Sequence, residues 1–97
     1  MTIKWTKRAE RKFAKISAYL IEQWGSKVSE AFKERAFSVI ELLAQFPEIG
    51  LVEVVDKGIR SFPVTRQTRV FYRLRNKDLI VLTFFDTRQH PQKRPRR

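Results

Sequence analysis

Residues 69–75 read Arg-Val-Phe-Tyr-Arg-Leu-Arg, so Arg69, Phe71, Arg73 and Arg75 share one parity while Val70, Tyr72 and Leu74 share the other. Alternate residues of a strand face opposite sides. One side of such a strand would carry three guanidinium groups around an aromatic ring. Guanidinium groups pair with phosphates and a ring lets a base stack, which suits single-stranded RNA. The same alternation arises where arginines only shield a solvated strand. The stretch Lys57 to Arg75 holds six cations and no acid. A proton carrier is harder to find. His90 is the only histidine, inside FFDTRQHPQKRPRR (Phe84 to Arg97), with a reference pKa of about 6.5. It reads either as a catalytic acid–base group or as an exposed histidine near the chain end. Asp86, at the end of an apolar run and among arginines, reads as one half of a structural salt bridge.

Such side chains need a scaffold, and the 97 residues suffice for one domain with a modest core. The apolar fraction of 42% with eight Phe can fill it. No run of 18 apolar residues is present to span a bilayer, and the opening MTIKWTKRAERKF lacks the apolar core of a secretion signal. The chain has no cysteine, which excludes disulfides and thiolate metal sites and fits a reducing cytoplasm. The net charge is +11. Residues 1–56 hold 9 basic and 8 acidic residues, whereas residues 57–97 hold 12 and 2. The attraction for polyanions therefore resides in the second half.

Periodicity supplies the elements. Thr2 to Trp5 alternates as an edge strand does, and Thr6 is placed to cap a helix. Ala9, Phe13, Ile16, Tyr19 or Leu20, and Trp24 predict an amphipathic helix over about 7–24, stopped by Gly25. Ser26 would cap a second helix over about 27–46, with the stripe Val28, Phe32, Ala36, Val39, Leu43 and Phe46. Trp5 and Trp24 read as core or rim aromatics. Residues 51–58 read as a loop or short strand, and Ile59 to Val64 as a strand whose Pro63 suits an edge or a bulge. Gln67 to Leu74 is a strand with Thr68, Val70, Tyr72 and Leu74 facing inward. After a turn at Asn76-Lys77-Asp78, Leu79 to Phe85 (LIVLTFF) reads as a central strand buried on both faces. The expectation is an α+β fold in the order β-α-α-β-β-β, its helix hairpin packed on one face of a mostly antiparallel sheet. The domain spans 1–90, followed by a basic, flexible tail over 91–97.

The order of these elements, with the phrases LLAQFPEIG (Leu42 to Gly50), GIRSFPV (Gly58 to Val64), TRVFYRL (Thr68 to Leu74) and LIVLTFFDTR (Leu79 to Arg88), resembles the RelE/ParE superfamily of bacterial type II toxins. The resemblance covers roughly residues 3–90. It implies a small basic cytoplasmic toxin, bound in a hetero-oligomer by an acidic cognate antitoxin. RelE-like members cut mRNA in the ribosomal A site without a metal or cofactor; ParE-like members inhibit DNA gyrase and cut nothing. By this likeness the leading expectation is a ribosome-dependent mRNA endoribonuclease, with gyrase inhibition as the alternative. A non-toxic RNA- or ribosome-associated binding module also fits the composition.

The RelE-like pattern maps Arg60 near its second-strand position, Arg69 onto its third-strand arginine and Arg88 onto the arginine after the last strand. Fixed guanidinium donors there would stabilise charge growing on a phosphate under attack by a 2′-oxygen. The family's Tyr or His beyond the last strand has no tyrosine counterpart here, leaving His90 as acid–base candidate. Glu53 and Asp56 could supply a carboxylate base, and Lys57 could act as one only if neighbouring cations lowered its pKa; otherwise Lys57 joins Phe71, Arg73 and Arg75 as a nucleic-acid contact.

Overall fold

A computed structural model describes Met1 to Gln89. His90 and the basic tail lie outside the described residues. The elements run β1 (Thr2–Trp5), α1 (Lys7–Trp24), α2 (Ser26–Gln45), a 3-10 turn (Pro47–Ile49), β2 (Leu51–Val54), β3 (Ile59–Pro63), β4 (Thr68–Arg75), β5 (Asp78–Asp86) and a second 3-10 turn (Thr87–Gln89). The five strands form one sheet in the order β1-β5-β4-β3-β2. Only the β1–β5 pair is parallel; the other neighbours are antiparallel. The expected α+β architecture is present, with β2 as a fourth strand after the helices where the sequence left a loop or a strand open.

Thr6 joins three elements. Its Oγ accepts from Ala9 N at 3.0 Å, which caps α1, and donates to Leu82 O at 2.8 Å. That carbonyl sits at an irregularity. Phe71 pairs with Thr83 and Tyr72 with Val81, so Leu82 is the extra residue of a bulge. The bulge shifts the parity of β5: Leu79 and Val81 are buried before it, Phe84 and Asp86 after it. LIVLTFF is therefore not buried on both faces. Its apolar continuity accommodates the parity shift, and the residues between are only half-covered because both helices lie on one side.

Gly25, at φ 94°, ends α1 and opens α2, a backbone angle that suits glycine. Ser26 is the first helical residue and its side chain caps nothing. The buried stripe of α2 is Ser29, Phe32, Ala36, Val39, Ile40 and Leu43, whereas Val28 and Phe46 are exposed. Ser29 displaces Val28 from the interface because its hydroxyl donates to Ser17 O at 3.1 Å. Two small residues let the helices approach there. The stripe meets Val70, Tyr72, Leu79, Val81 and Phe84 of the sheet in one core. Trp5 packs on its margin, 5.2 Å edge-on to Phe13 and 5.4 Å from Phe84 between ring centroids. Trp24 is exposed.

Candidate functional site

The face of the sheet turned away from the helices carries Arg69, Phe71 and Arg73, all half-buried, in alternation with buried Thr68, Val70 and Tyr72. The parity expected for β4 holds up to Arg73. Leu74 is exposed instead, because the β3 pairing ends at Ile59 with Arg73 and leaves Leu74 without a neighbour on that side. Arg75, also exposed, continues the open face opposite Asp78. Phe71 lies in a groove of about 570 Å³ lined by Thr6, Arg8, Glu53, Val54, Ile59, Leu82 and Thr83. The floor is apolar and the rim carries both charge signs.

Arg69 is held in place on this face. Its Nε donates to Ser61 Oγ at 3.0 Å, and that hydroxyl donates to Glu53 Oε2. One carboxylate thus orients a buried serine, and the serine orients one edge of the guanidinium. Arg73 Nε is shielded from solvent and lacks a hydrogen-bond acceptor among the described residues. Lys57 stands apart, exposed in the turn between β2 and β3.

Arg60 points the other way. It pairs with Tyr72 in the ladder, so both project to the helix side. Its Nη1 donates to the carbonyls of Glu48 at 3.0 Å and Gly50 at 2.8 Å. Tyr72 completes the clasp: its hydroxyl donates to Pro47 O at 2.6 Å and accepts from Gly50 N at 3.1 Å. Burial raises the Tyr72 pKa, an effect partly offset by the Gly50 hydrogen bond and the Arg60 charge. Together these bonds satisfy the carbonyls left where α2 gives way to β2. A side chain at Gly50 would run into the Tyr72 hydroxyl.

Arg88 is a second clasp on the helix side. Its Nε and Nη2 bind Asp86 Oδ1 and Oδ2 at 3.0 and 2.7 Å, and its backbone N–H adds a bond to Oδ1 at 2.9 Å. Thr68 donates to the same carboxylate. Burial alone would raise the Asp86 pKa, but hydrogen bonds from Arg88 and Thr68 outweigh it and hold the carboxyl below its usual value. The Arg88 pKa rises, chiefly through the Asp86 bond. The guanidinium also lies 5.8 Å from the centroid of the exposed Trp24 ring, a cation–π distance. The salt bridge expected for Asp86 is present, and Arg88 is its partner.

The sequence matches the family model described as "ParE toxin of type II toxin-antitoxin system, parDE" over residues 3–91. The chain belongs to the ParE toxin family. Membership implies a cognate antitoxin. No curated protein matches the chain by sequence. Several solved structures share its fold. A chain of the chromosomal ParDE system from P. aeruginosa is 20% identical with a TM-score of 0.75, over 89% of this chain and 95% of that one. A YoeB/ParE toxin from Agrobacterium tumefaciens is 17% identical with a TM-score of 0.64, over 89% and 98%. A copper-bound mutant toxin from Helicobacter pylori is 14% identical with a TM-score of 0.66, over 92% and 97%.

In this ParE-family chain the arginines mapped from the RelE-like pattern do not converge. Arg69, Phe71, Arg73 and Arg75 share the open face; Arg60 and Arg88 are clasps behind the sheet. His90 falls outside the described residues. Sequence reasoning missed Ser61 and Glu53 as the support of Arg69, and Arg35, whose Nε donates to Val64 O at 2.9 Å. Ser61 lies opposite Phe71 in the ladder, a register that no single segment of sequence reveals. Among the described residues no group of three metal-ligating side chains assembles, and no helix is long and apolar enough to cross a membrane.

Proposed function

We propose that this toxin arrests growth in the bacterial cytoplasm by binding DNA gyrase, without cutting RNA. The observation that carries the reading is the capture of two of the three mapped arginines. Arg60 spends one terminal nitrogen on the carbonyls of Glu48 and Gly50. Arg88 is committed to Asp86. Both guanidinium groups project to the helix side, away from the face that carries Arg69. The open face, with fixed Arg69, Arg73 and a groove floored by Phe71 and Leu82, suits a protein surface that offers carboxylates around an apolar anchor. The same face suits the acidic antitoxin, which would compete with the target for it.

A second reading keeps the ribosome-dependent endonuclease. It is favoured by Arg69 and Arg73 flanking Phe71, an arrangement that can hold phosphates around a stacked base. In that case Arg69, Arg73 and Arg75, with His90 as acid–base group, would do the work. The two readings separate in one experiment. Purified toxin is titrated into a gyrase supercoiling reaction, and mRNA 5′ ends are mapped in cells expressing the toxin alone. Loss of supercoiling with intact mRNA supports gyrase. In-frame mRNA cuts with full supercoiling at saturating toxin overturn it in favour of the endonuclease.

A further inference from the structure

A second cationic surface lies on the first half of α1. Residues 7–15 hold five cations, Lys7, Arg8, Arg11, Lys12 and Lys15, and one acid, Glu10. Arg8, Arg11, Lys12 and Lys15 follow at i, i+3, i+4 and i+7, so they share one side of the helix. Ala9, Ile16 and Leu20, which α1 buries, lie on another side. With Ala14, the four cations line a hollow of about 630 Å³. Arg8, Arg11 and Lys15 are exposed, and among the described residues they form no salt bridge.

These charges do not serve the helix. The N-terminal end of a helix is partially positive, which favours acids in its first turn and cations in its last. α1 opens on Lys7 and Arg8 and has no basic residue in its last turn. Its tip is closed by the Thr6 hydroxyl, so an anion has its place along the side. From Arg8 to Lys15 the helix rises about 10 Å, the length of about three phosphates along one strand of a DNA duplex. No aromatic ring lines the hollow, and Tyr19, further along the same side, is half-covered. The surface thus offers phosphate contacts without the stacking platform that unpaired bases use.

We propose that the outer side of α1 binds the phosphate backbone of duplex DNA without reading its sequence, through Arg8, Arg11 and Lys15. The choice of DNA rests on the gyrase reading, since gyrase itself holds DNA. Arg8 lines both this hollow and the groove around Phe71. A protein seated on the open face and a duplex lying along α1 therefore meet at Arg8, and the toxin can engage the enzyme and its DNA together.

The test follows binding of the full chain to a short labelled DNA duplex by fluorescence anisotropy, across a range of salt and without gyrase. The logarithm of the association constant should fall linearly with the logarithm of salt concentration. Combining Arg8→Gln, Arg11→Gln and Lys15→Gln should make that slope shallower by about 2–3 and weaken binding about tenfold or more at low salt. Lys12, half-covered and engaged within the fold, stays native. The α1 variant should melt no lower than wild type, because Arg8 opposes the helix dipole. Combining Lys27→Gln, Arg66→Gln and Lys77→Gln removes the same charge from exposed positions elsewhere and should change the slope little. Equal losses in the two triple variants would reduce the effect to net charge and overturn the proposal. Absence of binding overturns it too, as does tighter α1-dependent binding to an RNA duplex or to a single strand. Gyrase is absent from this assay, so either result leaves the gyrase reading to its own experiment. DNA binding through α1 by a toxin that leaves supercoiling intact would uphold the surface and remove gyrase as the target.

Discussion

Replacing Arg88 by alanine separates a clasp from a site. In the native chain Asp86 has a fully covered side chain and Arg88 retains 19% exposure. Removing the guanidinium leaves a buried carboxylate with Thr68 as its remaining side-chain donor. Stranding one partner of a buried pair costs about 3–5 kcal/mol. Water can reach the vacated Arg88 position, so the lower end, about 3 kcal/mol, is expected. A domain of this size is stable by about 5–15 kcal/mol, and each kcal/mol moves its melting temperature by about 4–8 °C. Arg88→Ala should therefore melt roughly 12–24 °C below wild type. Asp86→Asn combined with Arg88→Ala removes the stranded charge and should recover most of that loss, a clear non-additivity in the double-mutant cycle. Calorimetry on the wild type, both single variants and the double variant provides the measurement. Growth arrest after induction without antitoxin is scored in parallel. An Arg88→Ala protein that melts with wild type yet no longer arrests growth would refute the reasoning and return Arg88 to the target-binding surface.

Tyr72→Phe removes the donor to Pro47 O and the acceptor for Gly50 N, and should cost about 1–3 kcal/mol in urea unfolding. Gly50→Ala, which drives a methyl into the Tyr72 hydroxyl, should destabilise the wild type more than it destabilises Tyr72→Phe. Arg69→Ala should abolish or weaken growth arrest and change the melting temperature little, because its Nε bond to Ser61 lies on the open face; a fully toxic Arg69→Ala would remove that face from the mechanism. Stability should fall on both sides of neutrality. Asp86 has a lowered folded pKa, so its contribution is complete above the unfolded value of about 3.9 and disappears as pH drops through the folded value. Tyr72 has a raised folded pKa, so its contribution is complete below about 10 and is lost as pH rises through the folded value. Thermal melts across pH should show the acid limb flattened by Asp86→Asn and the alkaline limb by Tyr72→Phe.

The helices, the inward set Thr68, Val70 and Tyr72 and the open-face set Arg69, Phe71 and Arg73 were legible because periods of 3.6 and 2 are written in single segments. What failed needed information from two segments at once. LIVLTFF does not reveal a bulge; the extra residue Leu82 shows only in the register against β4. Val28 is a better hydrophobe than Ser29, yet Ser29 takes the interface through a bond to Ser17 O on the other helix. Edge strand β2 stayed ambiguous because neither of its faces is covered, so no inside–outside alternation marks it.

The arginines show the same limit at the level of chemistry. Lys57 to Arg75 looks like a single cationic block, but a strand divides its cations by parity. Arg60 lies opposite Tyr72 and Pro63 opposite Arg69, so the hairpin that puts Arg69 on the open face puts Arg60 behind it. Once Tyr72 is read as inward, its ladder partner must be inward too. An inward guanidinium needs acceptors, and the end of α2 with the following 3-10 turn supplies them as bare carbonyls. Asp86 and Arg88 follow a related logic: two residues apart at the end of a strand, they meet beside the core and neutralise each other. A cation that completes the fold cannot also be free to meet a target. Of the +11 charge, the part that the proposed function assigns to a target on the open sheet face is Arg69, Arg73 and Arg75. Those three are therefore the substitutions that should change toxicity without changing stability.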